Sequence, residues 1–188
     1  MNIANKLTLA RVIMIPIFIG FMLLQGAQML TFGSESVPVT QLIAGVIFIV
    51  ASITDYLDGY LARKLHLVTS FGAFFDPMAD KLLVIAALML FVEKGWVPAW
   101  AVFIIIAREL MVTGLRVLLA QTNGKVMAAA LPGKIKTMTQ MLAIIFFLFA
   151  NFGISLPIAQ VLFYTCLFFT VYSGIDYFWN ARFLFREL

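Results

Sequence analysis

Residues 55–80 read DYLDGYLARKLHLVTSFGAFFDPMAD, and four aspartates, Asp55, Asp58, Asp76 and Asp80, stand within that stretch of an otherwise hydrocarbon-like chain. At about 100° per residue, Asp55, Asp58, Gly59 and Ala62 share roughly a third of a helix circumference. Gly72, Ala73, Asp76 and Asp80 do the same on the second half of the stretch. Two helix faces therefore each offer a carboxylate pair beside residues with almost no side chain. Such faces can approach one another and hold small divalent cations between them.

Composition sets the surroundings of those faces. The chain has 188 residues, 63% hydrophobic and 12% charged, with a mean hydropathy of +1.04, whereas a soluble domain carries about 25% charged residues. An all-α integral membrane protein is expected, one domain over residues 1–188. The single Cys166 excludes an internal disulfide and a cysteine metal site, and reads as a small packing residue. His66 reads as a polar residue at the membrane surface.

Six apolar runs are predicted to span, near Leu9–Leu30, Val39–Leu61, Gly72–Val92, Trp100–Ala120, Ile135–Phe152 and Ile158–Trp179, each close to the ~20 residues a bilayer asks of a helix. Thr31–Pro38, Glu93–Pro98, Gln121–Gly133 and Asn151–Pro157 read as loops, and Arg63–Phe71 as a basic connection. The first run is long for a signal peptide and lacks a good cleavage site, so its retention is expected. Lys6, Arg11, Arg63, Lys64, Lys125, Lys134, Lys136, Arg182 and Arg186 fall on the side of the termini, and Lys94 on the other. The excess of basic residues predicts both termini, and the aspartate stretch with them, at the cytoplasmic face of the cell membrane. The net charge of +4 matters through this distribution, and no nucleic-acid partner is expected.

Acids inside a bilayer cost a few kcal/mol by insertion scales and usually face a cavity and mark a site. Four together would repel one another unless cations compensated. Two divalent ions, Mg²⁺ or Mn²⁺, would balance them, since both favour oxygen ligands and Mg²⁺ commonly pairs carboxylates with substrate phosphates. Lys81 and Arg63 are better placed for a substrate than for this task. Helix packing accounts for Gly59 or Gly72 taken alone; beside the aspartates, Gly59, Ala62 and Gly72 leave room for a flat group such as a nucleobase.

The full spacing is Asp55-x2-Asp58-Gly59-x2-Ala62-Arg63-x8-Gly72-x3-Asp76-x3-Asp80. It resembles the signature of the CDP-alcohol phosphotransferases at every fixed position, a match expected by chance in on the order of one in 10¹⁰ windows at ~5% usage per residue. The resemblance implies a six-helix membrane bundle with the signature across the second and third helices. It implies that Asp55, Asp58, Asp76 and Asp80 hold two divalent ions on the diphosphate of a CDP-linked lipid. Asp80 would also be the base toward the acceptor hydroxyl, and Asp58, Gly59, Ala62, Arg63 and Gly72 would surround the cytidine side. The acceptor oxygen would attack the lipid-side phosphorus, and CMP would leave.

Outside the signature, Asn2–Arg11, Ala107–Arg116 and Gly133–Thr137 resemble one branch of the family, the phosphatidylglycerophosphate synthases, although Ala4 stands where many members have proline. That branch joins CDP-diacylglycerol to glycerol 3-phosphate. The acceptor phosphate would then sit among Arg108, Arg116, Lys134 and Lys136, with Thr8, Arg11 and Lys81 as weaker candidates. Glu109 can pair with one arginine, which leaves further cations for a phosphate. Asp176 is a further acid in the last span, with either a pairing or a subunit-contact role. The family resemblance also implies a homodimer among membrane lipids. Rival readings are the same chemistry on inositol phosphate, serine or phosphatidylglycerol, a membrane ion transporter using the acids, and a structural scaffold.

Overall fold

The computed structural model describes residues 3–24, 26, 28–33, 35–64, 70–121, 131–180 and 182, with side chains at all of these except 3–8, 32, 55–64, 70–77, 79–80, 117–121 and 180. His66, Lys125 and Arg186 lie outside the described residues.

The described residues form six α-helices: α1 (Ile3–Leu23), α2 (Val39–Lys64), α3 (Ser70–Glu93), α4 (Ala99–Gln121), α5 (Leu131–Leu148) and α6 (Ile158–Asn180). Helix α1 lies along α2 and α3, α6 lies along α4 and α5, and α2 and α3 join the two groups by touching α5 and α4. The core is apolar and aromatic, with Phe18, Phe48, Phe91, Phe147 and Phe163 buried among small residues such as Ala44, Ala51, Ala87 and Ala101. Small residues let the helix axes approach closely. Cys166 is fully buried in that core, as expected of a packing residue.

Three expectations need correction. The first helix ends at Leu23 rather than near Leu30, and Thr31–Pro38 is not a loop. Met29–Phe32 (β1) pairs antiparallel with Glu35–Pro38 (β2), Phe32 opposite Glu35 and Met29 opposite Pro38. Leu30, Thr31, Phe32 and Val37 suit an extended backbone, and Gly33 takes φ +60 at the turn, where a side chain would be strained. The fifth helix starts at Leu131, four residues before the expected Ile135, because Pro132 in a first helical turn gives up no hydrogen bond.

The other turns follow local rules. Helix α3 ends in a Schellman motif: Trp96 N donates to Phe91 O at 2.9 Å, Gly95 N donates to Val92 O at 3.0 Å, and Gly95 is left-handed. Between α5 and α6, Ala150, Asn151 and Phe152 all have positive φ, and Asn151 Oδ1 accepts from Ala159 N at 2.8 Å at the start of α6. At the end of α5, the Leu148 carbonyl accepts from buried Gln41 of α2 at 2.9 Å, so an orphan helix-end acceptor is satisfied from another element.

Among the described residues, Ile158–Trp179 is long and apolar enough to cross a membrane, and Leu9–Leu23 and Val39–Thr54 are shorter apolar helices. Large apolar side chains point outward on all six helices: Ile13 and Ile17 on α1, Val46 and Val50 on α2, Met89 on α3, Phe103 on α4, Met138 on α5 and Phe168 on α6 are among them.

Candidate active site

The aspartates belong to two consecutive helices. Asp55 and Asp58 lie in the last three turns of α2, and Asp76 and Asp80 in the first half of α3. Gly59, Ala62 and Arg63 follow on α2, and Gly72 opens α3. The side chains of these residues, and of Thr8, lie outside the described ones. Among the described residues no three His, Cys, Asp or Glu side chains gather as a metal site. The donor set on α2 and α3, four carboxylates and no sulfur or imidazole, has the hard-oxygen character that Mg²⁺ and Mn²⁺ prefer.

One residue beyond Asp80 the side chains are described, and a polar cluster begins. Lys81 donates to the Thr113 hydroxyl of α4, which donates to the Glu109 carbonyl one turn earlier at 2.7 Å. The Glu109 carboxylate collects two cations on one oxygen: Arg108 Nη1 at 3.0 Å and Lys136 Nζ from α5. Lys136 is buried, at 4% exposure, so its charge is compensated by Glu109 rather than by water. From α6, Ser173 Oγ accepts from Arg108 Nη2 at 2.9 Å, and Tyr177 Oη accepts from Arg116 Nε at 2.9 Å.

These groups enclose a cavity of about 180 Å³ lined by Lys81, Arg108, Glu109, Arg116, Asp176 and Tyr177, with Gly133, Thr137 and Ser173 among its further walls. A second, smaller cavity of about 70 Å³ lies against Lys136, Gln140 and the same Lys81 and Glu109. Among the described residues the cavity and its surround carry Lys81, Arg108, Arg116 and Lys136 against Glu109 and Asp176, a predominance of cations that suits an anionic group such as a phosphate. Lys81 is the covalent neighbour of Asp80, whose Cα is ~3.8 Å away across one trans peptide. The cavity therefore lies beside the turn of α3 that carries Asp80 in its backbone.

Helices thus bring Arg108, Arg116 and Lys81 to one cavity, with Lys136 behind Glu109. Lys134 is exposed on the first turn of α5 and does not line that cavity, and Arg11 is buried on α1 at 1% exposure, also away from its walls. Of the two arginines open to it, Glu109 pairs with Arg108, and its second partner is a lysine, Lys136. Thr113, Ser173 and Tyr177 carry hydrogen bonds that charge counting overlooks. Their sequence signal is a polar stripe at helical spacing on α6, Thr170, Ser173 and Tyr177, in a run otherwise suited to lipid.

A family model described as CDP-alcohol phosphatidyltransferase matches residues 1–172. The chain is similar to the CDP-diacylglycerol–glycerol-3-phosphate 3-phosphatidyltransferase of Bacillus subtilis, 50% identical over 187 residues that cover 96% of each chain. The proteins of the same name from Haemophilus influenzae and Rickettsia bellii are 39% and 36% identical over 185 and 181 residues. Those matches cover 96% and 94% of this chain, and 94% and 93% of the relatives.

Proposed function

Since this chain belongs to the CDP-alcohol phosphatidyltransferase family, we propose that it transfers the phosphatidyl group of CDP-diacylglycerol to glycerol 3-phosphate, giving phosphatidylglycerophosphate and CMP. The observation that carries the choice of acceptor is the cationic cavity beside the aspartate helix. Its 180 Å³ accommodate on the order of ten water-sized groups, the scale of a small phosphorylated alcohol.

Asp55, Asp58, Asp76 and Asp80 are the residues that would hold two divalent ions. When bound, Mg²⁺ or Mn²⁺ at such a site neutralises charge on phosphoryl oxygens and on the leaving group. Arg116 and Arg108, with Lys81, bind the acceptor phosphate, and Lys136 holds Glu109 in place from behind. Asp80 takes the proton of the acceptor's primary hydroxyl, whose oxygen bonds to the lipid-side phosphorus as the bond to CMP breaks. The proton then passes to solvent. Gly59, Ala62 and Gly72 leave space for the cytidine, and Arg63 meets its phosphate side.

A membrane setting is supported by the outward apolar residues on every helix, since exposed apolar area on this scale marks contact with lipid or protein. On this proposal the chain is multi-pass; the distribution of basic residues puts the site at the cytoplasmic face, and the family resemblance is the ground for a homodimer through membrane helices.

The test is CMP release by purified protein in detergent with CDP-diacylglycerol and Mg²⁺. Glycerol 3-phosphate should support turnover, while serine, inositol phosphate and phosphatidylglycerol should not. Asp80→Asn should lower turnover at least a hundredfold, the lower range for losing a positioned base, without lowering the melting temperature. Faster CMP release with another acceptor would reject the assigned substrate, and an active D80N would reject the assigned base.

A further inference from the structure

We propose that Tyr177 is a positioning residue that sets selectivity for a phosphorylated acceptor, by aiming Arg116 without cancelling its charge. The inference rests on the reading above that the acceptor brings a phosphate to this cavity. Its basis is a difference among the cavity's cations. Arg108 commits both terminal nitrogens, one to the Glu109 carboxylate and one to Ser173 Oγ. Lys136 is committed to Glu109, and Lys81 donates to Thr113. Arg116 is held at Nε, and its terminal nitrogens make no hydrogen bond to the described residues.

The hold has two parts. Tyr177 Oη accepts from Nε at 2.9 Å, and the guanidinium carbon stands 5.3 Å from the centre of the same ring. Both contacts come from one side chain and engage the Nε side of the guanidinium, which leaves the fork of two terminal nitrogens for an incoming anion. Tyr177 itself is buried, at 4% exposure, so the support is rigid. A phenol does this as a neutral acceptor. A carboxylate in its place would hold Nε more firmly but would cancel the charge that a phosphate needs. Arg108 shows that outcome in the same cavity, where Glu109 already shares its charge. The guanidinium geometry also explains the choice of arginine: a lysine has neither an Nε–H for the phenol nor a planar fork.

The experiment uses the full-length protein in detergent and reads CMP release against glycerol 3-phosphate, against CDP-diacylglycerol, and with concentrated glycerol as an acceptor lacking phosphate. Tyr177→Phe should raise KM for glycerol 3-phosphate about tenfold while kcat and KM for CDP-diacylglycerol change less than about twofold. The preference for glycerol 3-phosphate over glycerol, as the ratio of their kcat/KM values, should fall about tenfold. Tyr177→Gln, which restores a neutral acceptor, should recover all but about threefold. In combination with Arg116→Lys, Tyr177→Phe should add little further loss, because both remove one device. If melting shows Y177F to be misfolded, Tyr177→Met, equally without an acceptor, takes its place. The proposal is overturned if kcat falls at constant KM, if glycerol turnover falls in parallel, or if the two substitutions cost independent amounts. Failure of the wild-type protein to use glycerol 3-phosphate would instead overturn the reading on which it rests.

Discussion

Glu109 shows how a single residue makes an apolar bundle tolerate a cationic cavity. Its carboxylate compensates Lys136, at 5% side-chain exposure, and Arg108, at 12%. Neither cation could be left alone there, since an uncompensated charge out of water costs several kcal/mol. Glu109→Gln should therefore lower stability by about 3 kcal/mol, the lower range for breaking a buried pair, because Glu109 itself is partly exposed. The loss would be read as a fall in melting temperature in detergent. Adding Lys136→Met should restore much of it, since an apolar replacement of a buried pair is often neutral. A Glu109→Gln protein as stable as the parent would mean that water or lipid headgroups, and not Glu109, carry the balance. Acid–base pairing was legible in the spacing of Arg108, Glu109 and Arg116; the second cation was not, because Lys136 lies 27 residues further along and reaches Glu109 only through the packing of α5 on its neighbours.

At the scale of elements, the α2–α5 contact depends on one glycine. A Cβ at Gly45 would stand 2.7 and 2.9 Å from ring atoms of Phe149. That ring is already stacked on Phe152 at 5.2 Å within the left-handed turn that leads to α6. Gly45→Val should cost about 1–3 kcal/mol through overpacking, measured as a lower melting temperature. An unaffected melt would show that Phe149 swings aside freely and that the α5–α6 turn is not braced by α2. Much of this architecture was legible: six apolar runs gave six helices, and Lys94-Gly95-Trp96 announced its own helix stop. The hairpin at Met29–Pro38 was obscured because Met29 and Leu30 continue an apolar run, and hydropathy alone does not separate a strand from a helix end. The family was legible because the aspartate signature is written at fixed local spacing. Ser173 and Tyr177 were not, since a hydroxyl on an apolar helix gains meaning only from the arginine opposite.

Across the whole molecule, the proposal stands or falls on sidedness. The Schellman turn at Gly95 and the first turn of α5 at Lys134 are separated by the length of α4, and both positions are exposed. Lys94 lies at the first end, while Arg116, Lys134 and the Arg182–Trp179 stack lie toward the second. On our proposal, the excess of basic residues directs the second end to the cytoplasm. Cys166, the chain's one cysteine, is fully buried, so Cys166→Ser provides a clean background for single cysteines. With a membrane-impermeant maleimide, Lys94→Cys, at the exposed residue beside Gly95, should label in intact cells and be protected in inverted vesicles. Lys134→Cys should do the reverse. The opposite pattern would put the aspartate ends of α2 and α3, and the cavity of Arg116, on the side away from the nucleotide and the phosphorylated alcohol. Both substrates are too charged to cross a bilayer unaided, so no local adjustment of the site could then rescue the proposed reaction.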